Sequence, residues 1–138
     1  DLSRDGNMIV LGYNHRVLAV YSKDISGNWN KEIDIDLETI IPDINDIFLN
    51  RSVSISEDKT KIAISGNGKI YLFEKNGSTL TKILSIEEDV TDFANSIELS
   101  RDGKYLVSGN FNHSLYIYRI LDNQYELVNK NNLTFSIP

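Results

Sequence analysis

Residues 100–118 read SRDGKYLVSGNFNHSLYIY and residues 3–21 read SRDGNMIVLGYNHRVLAVY, one nineteen-position pattern written twice. A third version, SEDKTKIAISGNGKIYLF, begins at Ser56, so the anchoring residues Ser3, Ser56 and Ser100 stand 53 and 44 residues apart. Self-similarity at a period in this range marks a chain built from stacked copies of one supersecondary unit, none of which can bury its apolar surface alone. Each copy has the same internal order. A short alternating run leads into Asp-Gly or its equivalent, a second run ends near Gly, a third carries an aromatic near its end, and a fourth follows another turn.

Placed on the second copy, these runs predict strands at 52–56, 61–65, 69–74 and 79–86; on the third copy they predict strands at 96–100, 105–108, 114–120 and 124–129. The β-branched and aromatic residues fall inside the runs. Asp5-Gly6, Gly66-Asn67-Gly68, Asn76-Gly77 and Asp102-Gly103 fall between them, where hairpin turns need residues that tolerate positive φ. No stretch shows a sustained 3.6-residue apolar period, so little helix is expected.

The third run of each copy decides the architecture. Val17-Leu18-Ala19-Val20-Tyr21, Ile70-Tyr71-Leu72-Phe73 and Leu115-Tyr116-Ile117-Tyr118 are apolar at consecutive positions, hence on both faces of a strand. A sheet with one face in water alternates apolar with polar residues, so these sheets are covered on both sides. Four-stranded antiparallel meanders stacked face to face around an axis meet that demand, which defines a β-propeller; a two-sheet sandwich is the alternative, but it lacks the repetition. The expected fold is all-β: one partial propeller domain over 1–138, with approximate repeats 1–47, 48–92 and 93–138. Three blades form only an arc. Self-association or additional blades are needed to close the ring, and both termini fall within the same strand of the repeat.

The unit "hydrophobic-x-hydrophobic-S-x-D-G", followed by a strand ending in Gly and by "hydrophobic-x-hydrophobic-aromatic", resembles the WD-repeat propellers. The runs DIFLNRSVSIS at 46–56 and DFANSIELS at 92–100 are similar to the D-x-F-G-x-S-V-x-L-S run of integrin-like FG-GAP repeats, and Trp29 stands where many propeller repeats carry a Trp. The resemblance implies the fold and little about function. Tyr21-Ser22, Phe73-Glu74 and Tyr118-Arg119 take the place of the Trp-Asp dipeptide, while Leu49 and Ala94 replace the Gly of F-G. The D-x-D-x-D-G calcium loops of the integrin-like family are absent, so no calcium site is implied.

Composition narrows the function classes. Twenty acidic residues against fourteen basic give a net charge of −6, which opposes a phosphate-backbone partner. The apolar runs are too short to span a bilayer as a helix. Without cysteine there is neither a disulfide framework nor a thiolate metal site, and a cytoplasmic setting is slightly favoured over secretion. With two His, no Cys and no G-x-S-x-G turn, no nucleophilic triad is on offer.

Two groups of residues are candidates for binding. Asp34, Asp36 and Glu38 alternate, which places them on one side of an outermost strand, with Asp43 and Asp46 close behind. Glu87, Glu88, Asp89 and Asp92 occupy the corresponding connection of the next repeat. Such carboxylates can hold a hard cation or a basic peptide, or simply keep an edge strand soluble. His15 and His113 are equivalent residues of the loop between second and third strands, but equivalent positions lie around a ring rather than side by side. Ser3-Arg4-Asp5-Gly6 lacks the Asp-x-Gly spacing of glycosidase Asp boxes and reads as a turn. The expectation is a non-enzymatic protein-interaction scaffold that binds a protein partner at its loop face without a cofactor. An integrin-like adhesion or carbohydrate-binding module is the alternative, and a propeller hydrolase stands third.

Overall fold

The computed structural model describes residues 1–13, 16–41, 49–66, 68–87, 94–110 and 113–132. Eleven strands lie in these residues. β1 (Met8–Tyr13), β2 (Val17–Lys23) and β3 (Trp29–Asp36) form the first sheet; β4 (Leu49–Ile55), β5 (Lys61–Gly66), β6 (Lys69–Asn76) and β7 (Thr79–Glu87) form the second; β8 (Ala94–Leu99), β9 (Tyr105–Asn110), β10 (Ser114–Leu121) and β11 (Gln124–Asn132) form the third. Every pairing is antiparallel between chain neighbours, so each sheet is a meander, and the repeat-derived strands fall on observed ones.

The first sheet has three strands where the repeat predicts four. Its innermost position is held by residues 1–3: Leu2 bridges Ile9, and Asp1 exchanges hydrogen bonds with Val10 in both directions. The outermost strand of every blade carries a bulge at one equivalent place, which leaves Glu32, Ile83 and Val128 outside the register. A bulge there increases the local twist of the blade.

The anchoring serines explain why the pattern recurs. Ser3, Ser56 and Ser100 each donate from Oγ to the carboxylate two residues on, Asp5, Asp58 and Asp102, at 2.7, 2.6 and 2.7 Å. Each Oγ also accepts the N–H five residues on, from Met8, Lys61 and Tyr105, at 2.8, 2.9 and 2.9 Å. The turn places its fourth residue at positive φ: Gly6 at 69°, Lys59 at 63° and Gly103 at 64°. The second copy therefore holds a lysine in a conformation that favours glycine.

Two apolar cores lie between the sheets. Met8, Val10, Leu18 and Val20 of the first blade meet Ile62, Ile64, Tyr71 and Phe73 of the second, and Leu37 and Ile41 from the following connection join the same core. Ala63, Ile70, Leu72 and Ile86 of the second blade meet Leu106, Tyr116, Tyr118 and Ile120 of the third. The middle strand β6 thus serves both cores, odd residues one way and even residues the other, which is the arrangement its unbroken apolar run demands. Phe73 is fully buried and Tyr118 nearly so, as aromatics between blades should be. Their equivalent Tyr21, expected to be buried in the same way, is only half-buried, because no sheet lies against its face of the first blade among the described residues.

Candidate functional site

The acidic residues singled out from the sequence do not converge among the described residues. Asp34 accepts from Tyr13 Oη and pairs with Lys31 of its own strand; the lysine first, then the tyrosine hydroxyl, holds its carboxyl below the usual carboxylate range. Asp36 ends β3 and caps a 3-10 turn, Leu37–Thr39, by accepting the Glu38 N–H at 3.1 Å. Glu38 therefore does not continue the strand as the alternation predicted: the cap turns the chain inward so that Leu37 and Ile41 can enter the core. Arg16 meets both carboxylates, at 3.6 Å from Asp36 and 2.7 Å from Glu38. Glu87 lies 3.4 Å from Lys69 across the β6–β7 pair.

Each described carboxylate of this group is thus matched by a cation of its own blade. His113 sits at φ 60° and donates its N–H to the Asn110 carbonyl at 3.2 Å, the geometry of a turn residue. His15, Asp43, Asp46, Glu88, Asp89 and Asp92 lie outside the described residues. Trp29 is 40% exposed, with the Lys23 ammonium 5.6 Å from its ring centroid, so it serves as a surface platform rather than as a core residue.

The meander order sorts the described strand ends between two ends of the blades. The ends of the second strands, Tyr13, Gly66 and Asn110, and of the outermost strands, Asp36 and Glu87, lie at one end; the Ser-x-Asp turns and the hairpins at 24–28, 77–78 and 122–123 lie at the other. At the turn end the innermost strands enclose a recess of about 250 Å³ lined by equivalent residues from three blades. Arg4, Glu57 and Arg101 hold the position after the anchoring serine, and Asp1 and Glu98 hold the position two before it. Arg4 Nη1 lies 3.3 Å from Glu57 Oε1, and the Glu57 N–H donates to the Arg101 carbonyl at 2.9 Å.

Beside the recess, side chains of one innermost strand accept backbone N–H groups of the next. Ile55 donates to Asp1 Oδ2 at 2.9 Å, Ile97 to Ser52 Oγ at 3.2 Å and Leu99 to Ser54 Oγ at 2.9 Å. Sequence reasoning missed these residues. The available signal was the polar alternation of Ser52, Ser54 and Ser56 with Val53 and Ile55, a strand whose second face is small and polar because the neighbouring strand approaches it.

Innermost strands that approach one another around an axis, with each meander running outward from it, decide the architecture. The chain is built of β-propeller blades. Over 96% of its length it is similar to the β-propeller domain of Cps50 (Swd1) from Myceliophteria thermophila, with a TM-score of 0.67 and 15% identity. It is likewise similar over 96% to a Bacteroides fragilis protein assigned as a 6-phosphogluconolactonase, with a TM-score of 0.75 and 12% identity. At such identities the likeness shows the fold alone. The chain spans 41% and 38% of the lengths of these two structures. No family model matches the chain, and no curated protein matches its sequence.

Among the described residues, no group of three His, Cys, Asp or Glu side chains is placed to hold a metal ion. Nor is any helix there long and apolar enough to cross a membrane.

Proposed function

We propose that the chain is a non-enzymatic interaction module whose loop face receives a basic segment of a protein partner. One observation carries the reading. The described carboxylates Asp34, Asp36, Glu38 and Glu87 are neutralised by Lys31, Arg16 and Lys69, whereas residues 42–48 and 88–93 contribute Asp43, Asp46, Glu88, Asp89 and Asp92 with no Lys or Arg among them. A run of one sign of charge in successive inter-blade connections of the sequence attracts an oppositely charged partner and raises its association rate.

The test uses two fluorescein-labelled decapeptides, one of alternating Lys and Arg with Gly and one of Asp and Glu with Gly. Fluorescence anisotropy should show the basic peptide binding and weakening as salt rises, with the acidic peptide inert. Replacing Asp43, Asp46 and Asp89 with Asn together with Glu88→Gln and Asp92→Asn should weaken binding at least tenfold while leaving the unfolding midpoint unchanged. Unaltered affinity in that variant overturns the proposal. Calorimetric titration with calcium separates the adhesion alternative, which alone expects stoichiometric heat.

A further inference from the structure

The two junctions in the structure are made by the same equivalent positions, which specifies what a third junction requires. At the position two before the anchoring serine, Asp1 and Ser54 each accept an N–H from the end of the next innermost strand, from Ile55 and Leu99. Glu98 occupies that position in the third blade, exposed in the axial recess and hydrogen-bonded to no backbone N–H among the described residues. Ser96, the equivalent of Ser52, is likewise exposed. One residue after the serine, Arg4 pairs with Glu57 of the next blade, while Arg101 is exposed without an ion pair among the described residues.

The bulge residues tell a parallel story at the rim. Glu32 of the first blade receives Lys75 of the second at 3.0 Å, and Ile83 of the second packs against the core that contains Ile120 of the third. Lys75 and Ile120 are equivalent residues, two beyond the aromatics Phe73 and Tyr118, so this pairing switches from ionic to apolar between junctions. Val128 is the third bulge residue and is 52% exposed, on a face with Tyr105 at 41% and Leu121 at 46%.

We infer that this face of the third blade is the docking surface for a further propeller blade of different sequence. That blade carries an acidic residue after its anchoring serine, to meet Arg101, and an apolar residue two beyond its third-strand aromatic, to cover Val128. Its innermost strand gives a backbone N–H to Glu98. A second copy of this chain fits less well: its first blade would bring Arg4 against Arg101 and the Lys23 ammonium over Val128, opposing like charges and burying a cation on an apolar residue. The inference rests on blade packing and is independent of the partner proposed for the loop end.

The probe is the 138-residue chain extended after Pro138 by a copy of residues 49–87 carrying Lys75→Leu. This copy supplies Glu57 and an apolar residue at the two specified places, and the six residues 133–138 match the length of the connection 88–93. The extended chain should unfold at higher urea than the parent. Glu98→Ala and Arg101→Ala should each lower the midpoint of the extended chain and leave that of the parent unmoved. Failure of the added blade to raise the midpoint, or equal effects of the two variants in both chains, overturns the inference. Sedimentation of the unextended chain supplies a second arm: a discrete species of twice 15.7 kDa would show that a second copy covers the face instead.

Discussion

Lys59 Nζ lies 2.5 Å from Asp5 Oδ2, joining the Ser-x-Asp turns of the first two blades across their junction. The same lysine holds φ 63° where the other two turns have glycine, so it combines an inter-blade ion pair with a strained backbone. Left-handed backbone costs a non-glycine residue about 1–2 kcal/mol. The ion pair is open to solvent and screened, so it contributes little, and a new glycine takes back about 0.5–1 kcal/mol through unfolded-state entropy.

Lys59→Gly is therefore expected to leave stability unchanged or raise it by up to about 1 kcal/mol. Gly103→Ala is expected to lower it by about 1–2 kcal/mol, because φ 64° strains any side chain and a Cβ there would meet Lys61 Cδ at 3.0 Å. Urea titration of both variants checks the pair. Losses of equal size would mean that the Asp5 ion pair outweighs the strain.

Phe73 and Tyr21 are equivalent residues with different surroundings, one fully buried between blades and one half-buried on the free face of the first. Phe73→Ala should cost about 3–5 kcal/mol through the cavity it leaves. Tyr21→Ala should cost less than half as much in the 138-residue chain. A Tyr21→Ala loss as large as that of Phe73→Ala would show that something covers the first blade's outer face in solution.

Ser54 is fully buried, and its hydroxyl satisfies the Leu99 N–H at the junction of the innermost strands. Ser54→Ala leaves that donor without a partner, at a cost of about 1–3 kcal/mol. The change should appear first as faster amide exchange at Leu99 itself. Undiminished protection at Leu99 would remove the side chain's role in joining the blades.

The three turn carboxylates titrate below their ordinary range. Asp5 is lowered chiefly by Lys59, Asp102 by the Ser100 hydroxyl; at Asp58 burial pushes upward but is outweighed by the Ser56 hydroxyl and Thr60. A depressed folded-state value means that the stability these groups contribute is present above the unfolded carboxylate value, near pH 4, and is lost as pH falls below it. The urea midpoint should accordingly drop between about pH 4 and pH 2. Replacing Asp5, Asp58 and Asp102 with Asn should flatten that drop. An unchanged acid slope in the triple variant would assign the loss to other carboxylates.

Much of this molecule is legible in residues 3–21, 56–73 and 100–118. Alternation and turn chemistry are local properties, so strand positions, to within three residues at their ends, Ser-x-Asp turns and the two-faced apolar third strands follow from the sequence. The candidate site was less legible. Asp34, Asp36 and Glu38 look alike along the chain, but a cap at Asp36 redirects the backbone and gives Glu38 to Arg16. Spacing along a strand says nothing about where that strand stops.

What the sequence determined by itself is the repeated blade, because periodicity fixes which face of each strand is apolar. Only the tertiary structure decided which blade face meets which. Tyr21, Phe73 and Tyr118 are one position in the repeat, yet a preceding sheet buries Phe73 and Tyr118, while Tyr21, with none before it among the described residues, stays half-buried. Asp1, Ser54 and Glu98 are likewise one position, and only the approach of the next innermost strand turns the first two into backbone acceptors. Packing between blades joins residues about 45–55 positions apart, and no local pattern encodes which neighbour a side chain will find.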